Sequence, residues 1–195
     1  RNGSNASLLV SPTGSGKTVM FAYLTGRLSV NGFRTMILAH RKELLDQISR
    51  TLKDFDVRHG IIAPGSKYNG LLPTHVGSVF SVVRKLQYIK VPDYVIIDEA
   101  HHAIEGSTWN KTLDHWKALN PKLQIIGVTA TPERLSGEGL DSTFSTMIMG
   151  PTVAKLIQDR FLSPYKMFAP PRTADLSGLH KRMGDFIRKE AAEAM

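Results

Sequence analysis

The segment Ser11–Thr18 (SPTGSGKT) constrains the fold of this chain more than any other part of its sequence. It follows a short apolar run, Ser7–Val10, which predicts a buried strand, and it leads into Lys17–Leu28, which predicts a largely apolar helix. A glycine-rich turn between a strand and a helix points successive backbone N–H groups at one place, and the helix adds its positive dipole end. This context predicts a phosphate-binding loop on an α/β fold.

The side chains of this loop suit the phosphates of ATP and a magnesium ion. The expected phosphate-binding residues are Thr13, Gly14, Ser15, Gly16, Lys17 and Thr18. Lys17 would reach the β- and γ-phosphates as a point charge, and the Thr18 hydroxyl would bind Mg²⁺. Ser11 stands where the strict pattern has glycine, but a small residue there still leaves room for the turn. A plain Gly/Ser turn with an incidental lysine is disfavoured by the strand before it and the helix after it.

The rest of the sequence alternates short apolar runs with amphipathic segments. Further strands are predicted at Arg34–Leu38, Arg58–Ile62, Val76–Val79, Tyr94–Asp98, Leu123–Val128 and Met147–Met149. Helices are predicted at Arg41–Phe55, with an apolar face of Leu44, Leu45, Ile48, Leu52 and Phe55, at a segment containing Trp109, Leu113 and Trp116 before Pro121, and near Val153–Asp159. The alternation predicts a three-layer α/β domain with a mainly parallel central sheet flanked by helices.

Two carboxylates end the apolar run Tyr94–Asp98. Ligands of open α/β sheets bind at the carboxyl ends of the strands, so Asp98 and Glu99 are expected on the same edge as the phosphate loop. Asp98 would hold Mg²⁺ through water, and Glu99 would orient and deprotonate the attacking water. Alone, such a pair is more often a solvated strand end. The following pair, His101 and His102, does not have H-E-x-x-H spacing and lacks an evident third ligand, which argues against zinc.

Composition narrows the partners of the chain. The 25 basic and 17 acidic residues give a formal net charge of +8, which favours a polyanionic partner such as nucleic acid. The absence of cysteine excludes disulfides and thiolate metal sites and fits a cytoplasmic location. The sequence has no apolar run of the roughly 18 residues that a transmembrane helix needs, so no membrane partner is expected.

The last part of the sequence is less regular. Glu133–Ser142 is predicted as a loop, Tyr165–Phe168 as a short ordered segment, Pro170–Gly178 as a linker and Asp185–Met195 as a helix. These segments predict a nucleotide-binding domain over residues 1–170. Residues 171–195 would then form a linker and the start of a helix leading toward a second domain.

Four motifs together resemble superfamily-two helicases of the DEAD/DEAH group. Asp98–His101 (DEAH) resembles their motif II, and Thr129–Pro132 (TATP) resembles their motif III. Ala39–Leu44 (AHRKEL) resembles motif Ia, and Val76–Val82 resembles the next nucleic-acid-binding motif. The resemblance covers about residues 7–135 with specific motifs. The TATPER stretch followed by GEGL is most similar to the phage-type and restriction-enzyme-type DNA translocases.

The resemblance implies one RecA-like motor domain of a pair, with ATP bound between the two and nucleic acid across both. Lys17, Asp98 and Glu99 would be catalytic. The resemblance places nucleic-acid backbone contacts at Arg41, Lys42, Ser78 and Ser81, and residues that couple the two sites at His101, Thr129 and Thr131. DNA is the expected polymer, with an RNA motor and a non-hydrolysing, nucleotide-gated binding module as alternatives.

Three departures from the family pattern accompany this interpretation. Phe80 occupies a place where relatives often carry glutamine, which leaves that nucleic-acid contact without support. The adenine-reading glutamine segment, which in relatives precedes the phosphate loop, is expected to lie outside this chain. The second RecA-like domain, with its arginine fingers, is also expected outside it, so the chain alone is expected to have little activity.

Overall fold

The apolar runs of the sequence form seven parallel strands of one sheet. The computed structural model of the chain describes residues 5–102, 107–131, 143–166, 181–182 and 185–186. In chain order the strands are β1 (Ala6–Val10), β2 (Thr35–Ala39), β3 (His59–Ile62), β4 (Thr74–Ser78), β5 (Tyr94–Asp98), β6 (Gln124–Thr129) and β7 (Thr146–Met149). Their order in the sheet is β3-β4-β2-β5-β6-β1-β7. The predicted α/β fold with a parallel central sheet is confirmed.

Helices connect and cover these strands. They are α1 (Lys17–Val30), α2 (Lys42–Asp54), α3 (Val79–Val83), α4 (Thr108–Leu119) and α5 (Val153–Gln158). Two short 3₁₀ turns lie at Leu86–Tyr88 and Ala100–His102. Within the described ranges, none of the helices has the length and apolar character needed to cross a bilayer.

The core lies on both faces of the sheet, because alternate residues of each central strand point to opposite sides. In β5, Val95 and Ile97 join the cluster that contains Trp109, Leu113 and Trp116 of α4. Ile96 instead joins the cluster that contains Phe21 of α1 and the buried face of α2. Burial on both sides explains why the central strands read as nearly continuous apolar runs.

Two details of the predicted elements are wrong. Phe55, expected on the buried face of α2, is 39% exposed. The helix ends at Asp54, and the next turn contains Asp56 with a left-handed φ of 55°, so the periodicity of the helix no longer applies to Phe55. Val79, expected in a strand, begins α3.

The chain divides into two units, residues 1–162 and 163–195. In the second unit, Lys181–Arg182 (β8) pairs in antiparallel fashion with Asp185–Phe186 (β9). The prediction that a helix begins at Asp185 is therefore wrong for its first two residues. The two strands are separated in sequence by two residues, one of them Gly184, which is a spacing typical of hairpins. The predicted 133–142 loop lies outside the described residues, as do the 170–178 linker and the domain boundary at 170–171.

Candidate active site

The parallel sheet brings the predicted site residues to one edge. The phosphate loop follows β1, Asp98 ends β5 and Thr129 ends β6, and these three strands are neighbours in the order β5-β6-β1. The Ser11 backbone N–H donates to the Thr129 carbonyl at 2.9 Å, which joins the phosphate loop to the end of β6. Arg41 follows β2, and Ser78 ends β4. These two strands are adjacent, and their register pairs Ala39 with Ser78.

The phosphate loop needs glycine at two positions. Gly14 and Gly16 both have a φ of +81°, in the left-handed region that other residues rarely adopt. A Cβ on Gly14 would also lie 2.9 Å from Leu162 Cδ2. Thr13 is exposed at the tip of the loop, whereas Lys17 and Thr18 are half-buried in the first turn of α1. The turn of this loop into α1 therefore depends on glycine at positions 14 and 16.

The loop is held by polar contacts among its own residues. The Lys17 ammonium donates to the carbonyl oxygens of Ser11 and Pro12, both at 3.0 Å. The Ser11 hydroxyl, nearly fully buried, donates to the Ser15 hydroxyl at 2.7 Å. Gly150, after β7, donates its N–H to the Val10 carbonyl at 2.7 Å and so closes the other side of the loop. Ser11 stands where the strict motif has glycine, and its hydroxyl group forms a specific hydrogen bond within the loop.

Asp98 is a buried carboxyl group, only 7% exposed. Burial, and then the negative charge of Glu99, raise the pKa of Asp98 to about 6. A hydrogen bond from the Glu99 N–H, at 3.2 Å, and the positive charge of Lys17 act in the opposite direction. The charge of Lys17 acts on Asp98 because β1, which leads into the phosphate loop, and β5 lie on either side of β6 with their carboxyl ends at the same edge of the sheet. A buried carboxylate is a suitable ligand for a hard cation.

Glu99 is held in an unusual backbone conformation. Its φ of 53° lies in the left-handed region, which is rare for residues other than glycine and is common at functional sites. The side chain is 32% exposed, and its Oε2 lies 3.3 Å from His101 Nδ1. The carboxylate thus lies against the His101 ring and is partly exposed to solvent.

His101 connects Glu99 to the end of β6. Its Nδ1 lies 3.0 Å from the Thr129 hydroxyl. That hydroxyl donates to the Thr131 carbonyl and accepts from the Thr131 N–H, both at 3.1 Å. Because the hydroxyl proton is directed at Thr131, the Thr129 oxygen can accept a hydrogen bond from His101 in the tautomer that carries its proton on Nδ1. The three residues predicted to couple the two sites therefore lie together.

An open cleft of about 500 Å³ lies beside these residues. Its lining combines the phosphate loop, motif Ia and the residues after β5 and β6: Thr13, His40, Arg41, Glu43, Leu44, Glu99, His101, His102, Ala130 and Thr131. Sequence reasoning did not assign a role to His40 or His102. Both stand inside or next to motifs that it had identified, but their contact depends on the sheet placing β2 next to β5.

The predicted nucleic-acid residues differ in accessibility. Arg41 and Lys42 are exposed, Ser78 is half-buried, and Ser81 is only 9% exposed. Phe80, between the two serines, is 55% exposed. All four contacts stay predictions, and their accessibility favours the two cations over Ser81.

A metal site built from protein ligands alone would need several histidine, cysteine or carboxylate side chains in one place. Among the described residues, no group of three or more His, Cys, Asp or Glu side chains is placed to hold a metal ion. The His101 and His102 rings instead contact each other, with centroids 4.2 Å apart.

Comparison with known proteins identifies related chains. A Lactococcus phage (isolate 7-9) protein, the 51.5 kDa protein, is 35% identical over 188 residues, which cover 96% of this chain and 38% of that protein. A Saccharomyces cerevisiae protein with the provisional name of ATP-dependent helicase IRC3 is 31% identical, over 89% of this chain and 27% of that protein. The chain thus spans well under half the length of these relatives.

Solved structures and a family match complete the comparison. The UvsW helicase of bacteriophage T4 superposes with a TM-score of 0.61 at 18% identity, covering 75% of this chain and 55% of that one. This likeness confirms the fold expected from the resemblance to superfamily-two helicases. Residues 1–134 match the family described as "Type III restriction enzyme, res subunit". Since this match covers most of the chain and includes the phosphate loop and the acidic strand end, the chain belongs to that family.

Proposed function

We propose that this chain is the first motor domain of an ATP-dependent helicase or translocase that acts on nucleic acid. The observation that carries the proposal is the assembly of Lys17, Asp98 and Glu99 at one sheet edge, with Asp98 within the electrostatic influence of Lys17. Glu99 is linked through His101 to Thr129 and from there to the loop of motif III. A binding scaffold has no need of an accessible carboxylate held beside a phosphate loop.

Each residue of the proposed site has its own role in ATP hydrolysis. Lys17 binds the β- and γ-phosphates by exchanging the Ser11 and Pro12 carbonyls for phosphate oxygens. Glu99 orients the attacking water and accepts its proton, and His101 holds the Glu99 carboxylate in place. Thr18 and Asp98 would hold Mg²⁺, which would supply positive charge to offset the negative charge of the phosphate oxygens. A hydroxyl and one carboxylate fit that ion, because Mg²⁺ takes few protein ligands beside phosphate and water.

DNA is the polymer that we propose as the track. Support for DNA comes from the resemblance of the TATPER and GEGL stretches to DNA translocases. The family to which the chain belongs is also described as a subunit of a restriction enzyme. The formal charge of +8 and the exposed Arg41 and Lys42 favour a phosphate backbone of either kind. Phosphate contacts do not report the sugar or base, so competition between DNA and RNA of equal sequence is the discriminating measurement.

A second RecA-like domain of the same polypeptide is part of the proposal. Arginine fingers of related nucleotide hydrolases contribute about 10³–10⁵ in rate. The 195-residue chain alone is therefore expected to bind Mg·ATP weakly and to hydrolyse it very slowly. Robust turnover by this chain, lost in Lys17→Ala, would contradict the need for a partner domain.

A cytoplasmic site of action stays a prediction.

The decisive experiment measures ATP hydrolysis by the natural polypeptide that contains this chain. The assay is run without polymer and with single-stranded DNA, duplex DNA or RNA. Glu99→Gln is expected to abolish stimulated hydrolysis while nucleotide still binds. Asp114→Asn is the matched control, because it neutralises an exposed carboxylate on α4 that does not line this cleft, and it should leave stimulated hydrolysis unchanged. Nucleotide binding without any polymer-stimulated hydrolysis would instead favour the nucleotide-gated binding module.

A further inference from the structure

Three histidine rings lie in series beside the proposed active site. The His40 ring, directly after β2, is 4.2 Å from the His102 ring, centroid to centroid, at an interplanar angle of 62°. The His102 ring is in turn 4.2 Å from the His101 ring, at 43°. The first contact crosses from the end of β2 to the turn after β5, which are neighbouring strands.

The two ends of this ring series reach different functional residues. At one end, His40 immediately precedes Arg41, an exposed cation predicted to contact the nucleic-acid backbone. At the other end, His101 Nδ1 lies 3.3 Å from Glu99 Oε2 and 3.0 Å from the Thr129 hydroxyl. A continuous set of contacts therefore runs from the residue next to Arg41 to the carboxylate proposed to activate water.

The choice of histidine at position 40 is not explained by stability. Among the side chains described by the structure, His40 Nδ1 is buried and has no hydrogen-bond partner. Leaving a buried polar atom unpaired is unfavourable, and a phenyl ring would occupy similar space without that nitrogen. Burial, followed by the charge of Arg41, lowers the pKa of His40, so the ring stays neutral beside the arginine.

We propose that His40 is a positioning residue that, through its ring contact with His102, transmits nucleic-acid contact at Arg41 to His101 and Glu99. The inference rests on the proposed function. A phosphate drawn to Arg41 displaces the backbone at residues 40 and 41 and with it the His40 ring. Because the rings are in contact, His102 and His101 adjust, and the orientation of Glu99 changes. Glu99 is suited to such a change, since its left-handed backbone conformation is held by its surroundings.

The test uses the natural polypeptide that contains this chain, with His40→Ala and His40→Phe compared with wild type. ATP hydrolysis is measured without nucleic acid and across a titration to saturation with single-stranded DNA. His40→Ala removes the ring, and the stimulation at saturation is expected to fall by about tenfold, within the usual range of coupling between sites. His40→Phe keeps a ring against His102 and is expected to retain most of the stimulation. The midpoint of thermal unfolding is recorded for each variant, so that a folding defect is recognised.

A second readout does not depend on turnover. Coupling between two ligands is reciprocal, so a non-hydrolysable ATP analogue must change the affinity for DNA by the factor by which DNA changes the affinity for the analogue. His40→Ala is expected to bring that factor close to one, and His40→Phe to preserve it. His59→Ala is the control, because His59 is also half-buried but lies in β3 and bonds to Ser49 and the Val57 carbonyl.

The possible outcomes separate the inference from the proposed function. Full stimulation in His40→Ala, or equal loss in His40→Phe, would overturn the role of the ring contact while the motor function stands. A change confined to the DNA concentration at half-saturation would make His40 a binding contact and also overturn the inference. Wild type that is not stimulated by any polymer would overturn both. If stimulation at saturating DNA is lost in His40→Ala, and His40→Phe and His59→Ala stay close to wild type, the inference about His40 is supported.

Discussion

The Thr129 hydroxyl lies 3.0 Å from His101 Nδ1 and at the same time holds the backbone of Thr131. This one buried oxygen joins the turn after β5 to the loop after β6, and the backbone carbonyl of the same threonine accepts the N–H of Ser11. A single residue therefore contacts the acidic strand end, motif III and the phosphate loop. Changes at Thr129 are expected to affect both stability and the response to nucleic acid.

Thr129→Val tests the hydroxyl with nearly unchanged volume. It removes the acceptor of the Thr131 N–H, and because Thr131 is exposed and water can bond that N–H, we expect a loss of about 0.5–1.5 kcal/mol in the free energy of unfolding. Stimulation of ATP hydrolysis should fall as well, because His101 loses a partner. Denaturant titration and hydrolysis assays measure the two effects. Thr112→Val is the control, because Thr112 is equally buried but donates only to a carbonyl of its own helix, that of Thr108. Equal losses in both variants would contradict the special role of Thr129.

Asp98→Asn is expected to stabilise the metal-free chain at neutral pH. The pKa of Asp98 is raised to about 6, so the folded state binds this proton more tightly than the unfolded state, whose carboxyl has its ordinary value of 3.8. This group therefore lowers stability fully above about pH 6, and the penalty is relieved as pH falls toward 4. A shift of about two units corresponds to roughly 3 kcal/mol.

Thermal unfolding in the presence of a chelator, from pH 4 to pH 8, measures this effect. The gain in Asp98→Asn over wild type should be largest above pH 6 and should disappear toward pH 4. Nucleotide binding with Mg²⁺ should weaken in the same variant. A gain that does not vary with pH would show that desolvation of the carboxylate is not its cause.

Gly150→Ala should disturb the phosphate loop from outside it. The new Cβ would lie 2.7 Å from Ser11 Oγ and 3.1 Å from the Val10 carbonyl oxygen. Ser11 would have to move, and its bond to Ser15 would be strained. We expect a destabilisation of about 1–3 kcal/mol, as for overpacking elsewhere, and weaker binding of a fluorescent ATP analogue.

Gly26→Ala provides the contrast for this variant. Gly26 lies inside α1, and its added Cβ would meet only the Val57 Cγ2 atom at 3.3 Å. Alanine is favoured over glycine within a helix by about 0.5–1 kcal/mol. Nucleotide affinity should be unchanged in Gly26→Ala, and loss of affinity in both variants would show that the effect is not specific to the phosphate loop.

Arg41→Ala should weaken nucleic-acid binding by a similar factor for all sequences. Loss of one phosphate contact should reduce the slope of log affinity against log salt concentration by about 0.7–0.9. Fluorescence anisotropy with labelled oligonucleotides at several salt concentrations gives this slope. Arg50→Ala changes the net charge equally from an exposed position further along α2 and should leave the slope unchanged. A loss restricted to particular base sequences would assign Arg41 to base recognition instead.

Local patterns explain how much of this chain was predictable from its sequence. The phosphate loop and the strand Tyr94–Asp98 combine strong periodicity with motif context, and the structure places both as expected. The helix predicted from Asp185 is wrong at Asp185 and Phe186, because a two-residue hairpin spacing competes there with weak helical periodicity. The contact between His40 and His102 could not be read from sequence, since it arises from strand order. Neither the burial of Asp98 nor the left-handed φ of Glu99 has a sequence signature.

The strand order also affects how a chain of this kind can diversify. β4 and β2, which lead into the predicted polymer contacts, are neighbours, and β5, β6 and β1 form a contiguous set that leads into the proposed nucleotide site. A single seam between β2 and β5 separates the two sets. The loops that follow β2 and β4 can therefore change their polymer specificity while the loops that follow β5, β6 and β1 keep the proposed nucleotide site unchanged. His40 and His102 contact each other across this seam, so a substitution of either ring is expected to affect both sets of loops.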